Sequence, residues 1–131
     1  NQRCEKIFDS LDMNSFANKR IGTLSSGMKQ KTSIARTIIH NPDIIVFDEP
    51  TTGLDVMTSR SIIELIRNSK EEKKTIIFSS HRMEEVQSLA DAIGVIYNGK
   101  LIFSGTKNDF ESLEAEPKSY DDTLINLIDQ S

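Results

Sequence analysis

The apolar run Asp43-Ile-Ile-Val-Phe-Asp48 closes on two successive acids, Asp48 and Glu49. Asp48 is placed to hold a hard cation, directly or through water, because Mg²⁺ takes few protein carboxylates and keeps waters and phosphate oxygens as its other ligands. Glu49, one residue further, points the other way from a strand end and could orient or deprotonate a water. The same two acids would serve equally as caps of the Pro50-Thr51-Thr52-Gly53 turn. A second stretch, Leu24-Ser25-Ser26-Gly27-Met28, opens a basic segment. Free first-turn amides, a serine hydroxyl, a glycine that lets a phosphate approach and the positive end of a helix dipole favour an anion there; an ordinary serine-capped helix has the same composition. The third feature is His81, directly after Ser79-Ser80. An imidazole there could donate to a terminal phosphate, or simply cap or pack a helix start.

The elements that must position these residues follow from periodicity. Cys4, Ile7, Phe8 and Leu11 recur at helical spacing and predict a short amphipathic helix over residues 2–12, followed by a polar loop from Asn14 to Thr23. Ser25 or Ser26 caps a second helix whose apolar face carries Met28, Ala35, Ile38 and Ile39, with Pro42 marking its end. Residues 43–48 read as a strand covered on both faces in a parallel sheet. Asp55 caps a helix to about Ser69 with Ile62, Ile63 and Ile66 inward, and the charged run Lys70–Lys74 reads as a solvated loop. Thr75–Ser80 is a second buried strand, Met83, Val86, Leu89 and Ala90 outline a helix, and Ala92–Tyr97 is a third strand. Asn98-Gly99, between Val95-Ile-Tyr and Leu101-Ile-Phe, is a hairpin signal because both turn residues must take positive φ. Beyond Gly105 the chain turns helical and acidic, and Ser119 with Asp122 resembles a capping box before Leu124, Leu127 and Ile128. Strands alternating with helices imply a parallel, helix-covered sheet with an antiparallel hairpin at one end, and ligands in such sheets gather at the carboxyl ends of strands. Asp48-Glu49 and His81 both fall there.

With 131 residues, 37% hydrophobic and 27% charged, the sequence has the polarity of one ordinary domain. Its apolar runs, such as Ile44–Phe47, fall far short of the roughly 20 residues a bilayer crossing needs. Asn1-Gln-Arg-Cys4 has no apolar region behind it and no initiating Met, so the sequence is expected to be an internal portion of a longer protein. A single cysteine, Cys4, cannot form an internal disulfide; this fits a reducing compartment and a packing role beside Ile7 and Leu11. The net charge of −4 is unevenly distributed: no acid lies between Asp12 and Asp43, whereas Lys19, Arg20, Lys29, Lys31 and Arg36 do. A pI near 5.2 and few aromatics supply neither the basic surface nor the stacking platform that nucleic acid requires.

Taken together and in order, these features resemble the catalytic half of an ATP-binding-cassette (ABC) ATPase. Leu24–Met28 resembles the signature sequence, Ile44–Glu49 the Walker B strand with its catalytic glutamate, Gly53-Leu54-Asp55 the D-loop, and His81 the switch histidine. The resemblance spans residues 18–105, and Asp48-Glu-Pro-Thr-Thr-Gly-Leu-Asp55 is its most specific stretch. Against the family's usual Leu-Ser-Gly-Gly-Gln, Ser26 stands at the third position and Met28 at the fifth, variants similar to those of ABC-2 exporter ATPases of the sodium- and drug-extrusion kind. No Gly-x-x-x-x-Gly-Lys-Ser/Thr phosphate loop occurs in the sequence.

The resemblance implies an α/β fold: a partial P-loop NTPase core of mostly parallel sheet with flanking helices and a C-terminal β-hairpin, lacking the Walker A strand and loop. Residues 1–23 would close a helical subdomain, 24–105 form the catalytic-core part, and 106–131 a C-terminal helical extension. It further implies ATP and Mg²⁺ as cofactors, with Asp48 at the metal, Glu49 and His81 catalytic, and Leu24, Ser25, Ser26, Gly27, Met28 and Asp55 contacting nucleotide. The implied partners are a second ABC ATPase domain, closing head to tail around two ATP molecules, and a transmembrane permease that holds the protein at the cytoplasmic face of the cell membrane. A non-transport ABC-type ATPase and a non-catalytic interaction domain without a phosphate loop are the alternatives. In the family a strand leading into the phosphate loop lies between the strands matching Thr75–Ser80 and Ala92–Tyr97. Without it, these two strands are expected to pair directly, to exchange with a second copy, or to leave the chain marginally stable.

Overall fold

A computed structural model describes residues 2–113 and 119–131 of the chain, which divides into two compact units, Asn1–Ser80 and His81–Ser131. The expected C-terminal extension therefore lies partly, at residues 114–118, outside the described residues.

In the first unit, α1 (Gln2–Ser10) and α2 (Ser26–Ile38) precede a β–α–β unit made of β1 (Ile44–Phe47), α3 (Val56–Glu71) and β2 (Thr75–Phe78). The two strands pair in parallel with Ile44 opposite Thr75 and Phe47 opposite Phe78. A parallel pair needs a crossover, and α3 provides it by burying Ile62, Leu65 and Ile66 while Ile63 is only half-buried. On α2 the buried stripe is Gly27, Lys31, Ile34, Ala35 and Ile38, one step round from the expected one: Met28 and Ile39 are half-buried. Ile7, Leu11, Met13 and Phe16 complete the core, the last of them from the stretch read as polar loop, which also contains a short 3-10 turn at Ile21–Thr23. Each such side chain contributes about 1.5–3 kcal/mol by leaving water. The guanidinium of Arg3 donates to the carbonyls of Ile38 and Ile39 at 2.8 and 2.9 Å, satisfying acceptors that the end of α2 leaves open.

Two expectations are corrected in this unit. The strands are covered on one face only: Ile45 and Phe47 are buried, whereas Ile44, Val46 and Ile77 are 62%, 63% and 57% exposed. The pleat sends alternate side chains to opposite faces, and the helices of this unit cover only one of them. The run Lys70–Lys74 is not simply solvated. Helix α3 continues to Glu71, Lys73 turns the chain at φ 62°, and Lys74 Nζ donates to Asn41 Oδ1 and the Pro42 carbonyl at 2.7 and 2.8 Å.

The second unit comprises α4 (Met83–Leu89), the hairpin β3 (Ala92–Tyr97) and β4 (Lys100–Thr106), α5 (Lys107–Glu111) and α6 (Tyr120–Asp129). Asn98 and Gly99 take φ 48° and 75°, as the two-residue turn demands, and a bulge falls between Val95 and Ile96. Thr106 and Asp109 form a capping box at α5, and Ser119 caps α6 by accepting from the Asp122 amide. The core here is Ile93, Phe110 and Tyr120, with the Phe110 ring edge-on to Phe103 at 5.4 Å and tilted against Tyr120 at 5.2 Å. Burial, reinforced by the hydroxyl's 2.6 Å bond to Glu111 Oε1 and by that carboxylate's charge, pushes the Tyr120 phenol well above its ordinary range.

The described strands thus form two separate two-stranded sheets, β1–β2 and β3–β4. The first is the parallel part of the expected fold and the second its antiparallel hairpin. The parallel, helix-flanked part and the C-terminal hairpin are both present.

Candidate functional site

At the end of β1 the parallel register is carried one residue further: the Ser79 amide donates to the Phe47 carbonyl at 3.0 Å, which sets Ser79 beside Asp48. The Ser79 hydroxyl donates to Asp48 Oδ1 at 2.6 Å and accepts from the Glu49 amide at 2.8 Å. Glu49 has φ 42°, a left-handed conformation that a residue with a Cβ adopts at a cost. The turn holds it there: Thr52 donates its amide to the Glu49 carbonyl at 3.2 Å and its hydroxyl to Glu49 Oε2 at 2.9 Å. Pro50 behind it is fully buried, and its carbonyl accepts from Gln30 Nε2 of α2 at 3.2 Å. Asp48 and Glu49 are themselves solvent-exposed, at the carboxyl edge of a parallel pair where ligands of such sheets gather.

The start of α2 is built around α3. Ser25 is the N-cap, its hydroxyl accepting from the Met28 amide at 3.3 Å, with Leu24 buried before it and Ser26 exposed as the first helical residue. A Cβ on Gly27 would lie 3.3 Å from Thr58 Oγ1, 3.4 Å from Thr58 Cγ2 and 3.7 Å from Asp55 Oδ2. The side from which glycine removes a side chain is therefore crowded by the first turn of α3, so helix packing here favours glycine. Asp55 caps α3, accepting from the Thr58 amide at 3.0 Å and the Thr58 hydroxyl at 2.8 Å; these bonds, the amide first, hold its carboxyl below the ordinary carboxylate range. Gly27 and Asp55, far apart in sequence, thus meet on Thr58.

His81 opens the second unit, exposed, immediately before Arg82, the N-cap of α4. Arg82 Nη1 and Glu85 Oε1 form an ion pair at 2.9 Å, with the glutamate buried. Among the described residues no three of His, Cys, Asp or Glu converge closely enough to cage a metal. A single exposed aspartate fits Mg²⁺, which takes one or two carboxylates and otherwise keeps water and phosphate oxygens, better than it fits a caged ion. The sequence reading named Asp48, Glu49, Gly27 and Asp55 but missed Ser79, Thr58, Thr52 and Gln30. The constant offset of 31 residues between paired positions of β1 and β2 is the signal that would have found Ser79 opposite Asp48.

Comparison with known proteins gives the family of the chain. The family model for ABC transporters matches residues 1–52. The chain is 47% identical over 90% of its length to the ABC transporter ATP-binding protein NatA of Bacillus subtilis, and 35% identical over 96% to the linearmycin resistance ATP-binding protein LnrL of the same organism. The chain belongs to the ABC transporter ATP-binding proteins. The fold of a solved ATP-binding subunit of an ABC transporter superposes with a TM-score of 0.84 at 23% identity over 97% of this chain and 53% of that one. The α/β architecture described above is accordingly the fold that this subunit shares over nearly all of the chain. The chain spans about half the length of the curated relatives it matches, 48% of NatA and 39% of LnrL. No helix among the described residues is long and apolar enough to cross a membrane.

Proposed function

We propose that this chain supplies the signature, Walker B, D-loop and switch-histidine portion of the ATP-hydrolysing subunit of an ABC exporter. The observation that carries the reading is the pair of exposed carboxylates at the end of β1, with Glu49 fixed in a left-handed conformation by Thr52 and Ser79. Strain of this kind, held by surrounding bonds, is what a residue oriented for chemistry displays. In this reading Asp48 is the protein ligand of Mg²⁺, Glu49 orients or deprotonates the attacking water, and His81 donates to the γ-phosphate. The ion, when bound, neutralises developing charge on the phosphates.

The helix start of Leu24, Ser25, Ser26, Gly27 and Met28, with Asp55 beside it, faces the nucleotide held by a second ABC ATPase domain, so each site is composite. Ser26 is exposed at the first helical position, where first-turn amides and the helix dipole favour an anion. Residues 1–23 close the helical subdomain, 24–105 form the core part and 106–131 a helical extension. Closure of the two domains drives a membrane permease from the cytoplasmic side. The isolated chain, without a phosphate-loop sequence, neither hydrolyses ATP nor holds it tightly.

The test is Glu49→Gln in the full-length protein. It leaves ATP binding intact and slows hydrolysis about a hundredfold or more, the usual scale for a lost catalytic base. An undiminished hydrolysis rate removes Glu49 from the role. His81→Ala lowers turnover with less effect on binding.

A further inference from the structure

We propose that Ser79 is a positioning residue of this site, a hydroxyl that aims the Asp48 carboxylate and fixes the Glu49 backbone at once; the inference rests on the roles proposed for those two acids. A serine hydroxyl has one proton to give and lone pairs to receive with. Here the proton goes to Asp48 Oδ1 at 2.6 Å, and a lone pair takes the Glu49 amide at 2.8 Å. The two bonds run in one direction, amide to hydroxyl to carboxylate, so each polarises the next, and the last is charge-assisted and short. The Ser79 backbone is itself held by its amide bond to the Phe47 carbonyl at 3.0 Å.

The consequence for chemistry is geometric. With Oδ1 engaged, the orientation of the Asp48 carboxyl group is set before any cation arrives, and such pre-set orientation of a ligating carboxylate is what an outer hydrogen-bond partner provides. Anchoring the Glu49 amide fixes the start of the left-handed turn from which its side chain extends. Thr52 fixes the other end of the same residue, at the carbonyl and at Oε2. Ser79 is therefore bonded to both acids, and it reaches them from just past the end of β2, a strand 31 residues away in sequence from β1. An alanine there removes both bonds, and threonine keeps the hydroxyl.

The experiment compares Ser79→Ala and Ser79→Thr with the parent sequence and with Glu49→Gln, all in the full-length protein. Hydrogen exchange of the peptide spanning residues 44–52 is followed beside Mg²⁺-dependent ATP hydrolysis and a thermal melt. Ser79→Ala is expected to lower kcat by about 10- to 100-fold, the usual cost of losing an outer partner of a metal ligand, with KM for ATP changed less than threefold. It should also raise exchange at the Glu49 amide, and Ser79→Thr should restore both readouts. If Ser79→Ala keeps full kcat and full amide protection while Glu49→Gln is inactive, the positioning role is overturned and the catalytic reading stands. If Glu49→Gln is itself fully active, the catalytic reading fails, and Ser79 falls with it as a positioning residue. If Ser79→Thr fails to rescue although its melt matches the parent, the hydroxyl is not what matters and the proposal is overturned.

Discussion

Gly27→Ala tests whether this glycine is required by packing. The new Cβ would stand 3.3 and 3.4 Å from the Oγ1 and Cγ2 of Thr58. Thr58 is buried, its χ1 is restricted by β-branching, and its hydroxyl is tied to Asp55 Oδ2 at 2.8 Å, so it has little freedom to withdraw. Inserting a methyl into such a contact costs about 1–3 kcal/mol. Replacing a helical glycine by alanine returns at most about 1 kcal/mol, and less near the helix start. The net expectation is a loss of about 1 kcal/mol in urea denaturation at unchanged slope. In a Thr58→Ala background both crowded atoms are gone, while the Thr58 amide still donates to Asp55 Oδ1, so the same substitution should become stabilising by about 0.5 kcal/mol. The resulting coupling, about 1.5 kcal/mol, is well outside the few tenths that independent sites show. Equal effects of Gly27→Ala in the two backgrounds would refute the packing argument.

Phe110→Ala removes the ring that joins β4 to α6 in the second unit and should cost about 3–5 kcal/mol, with loss of near-UV circular dichroism; a change below about 1 kcal/mol would show that Phe110 is not the centre of that core. Tyr120 predicts an alkaline limb of stability. Its phenol titrates higher folded than unfolded, so its contribution is whole below the unfolded pKa of about 10 and is lost as pH rises through the folded value. Tyr120→Phe should be the less stable protein at neutral pH and should lose less than the parent as pH is raised above 10, measured by thermal melts across that range.

Legibility from sequence followed the range of the interaction. Helices with local caps were readable: Ser25, Asp55 and Ser119 each accept from an amide three residues ahead, a relation contained within four residues. The Asn98-Gly99 turn was equally local. The acids at the end of β1 were readable because an apolar run marks where a strand stops. What was not readable depends on pairing. Ser79 acquires its meaning only from the register of β1 with β2, and Thr58 only from the approach of α2 to α3. Burial of the strands was misjudged for a related reason. A continuous apolar run says that both faces can be covered, but not that the segments needed to cover them are in the same chain, and Val46 faces solvent here.

That exposed face raises the question of how a two-stranded sheet can hold a strained residue at its edge. A left-handed glutamate costs about 1–2 kcal/mol relative to an ordinary conformation. Three bonds oppose the strain, from Thr52 to the Glu49 carbonyl and to Oε2, and from the Glu49 amide to Ser79. At about 0.5–1 kcal/mol each in an exposed setting, they suffice to offset it. Two of them lie within the turn itself, and the third needs only the neighbouring strand in register. Pro50 adds a fixed φ and a fully buried ring, and Gln30 ties its carbonyl to α2. The conformation of Glu49 is thus supported by β1, β2, α2 and the turn. The outer face, with Ile44, Val46 and Ile77, bears on the stability of this unit, whereas the orientation of its acids is set by contacts a few residues across.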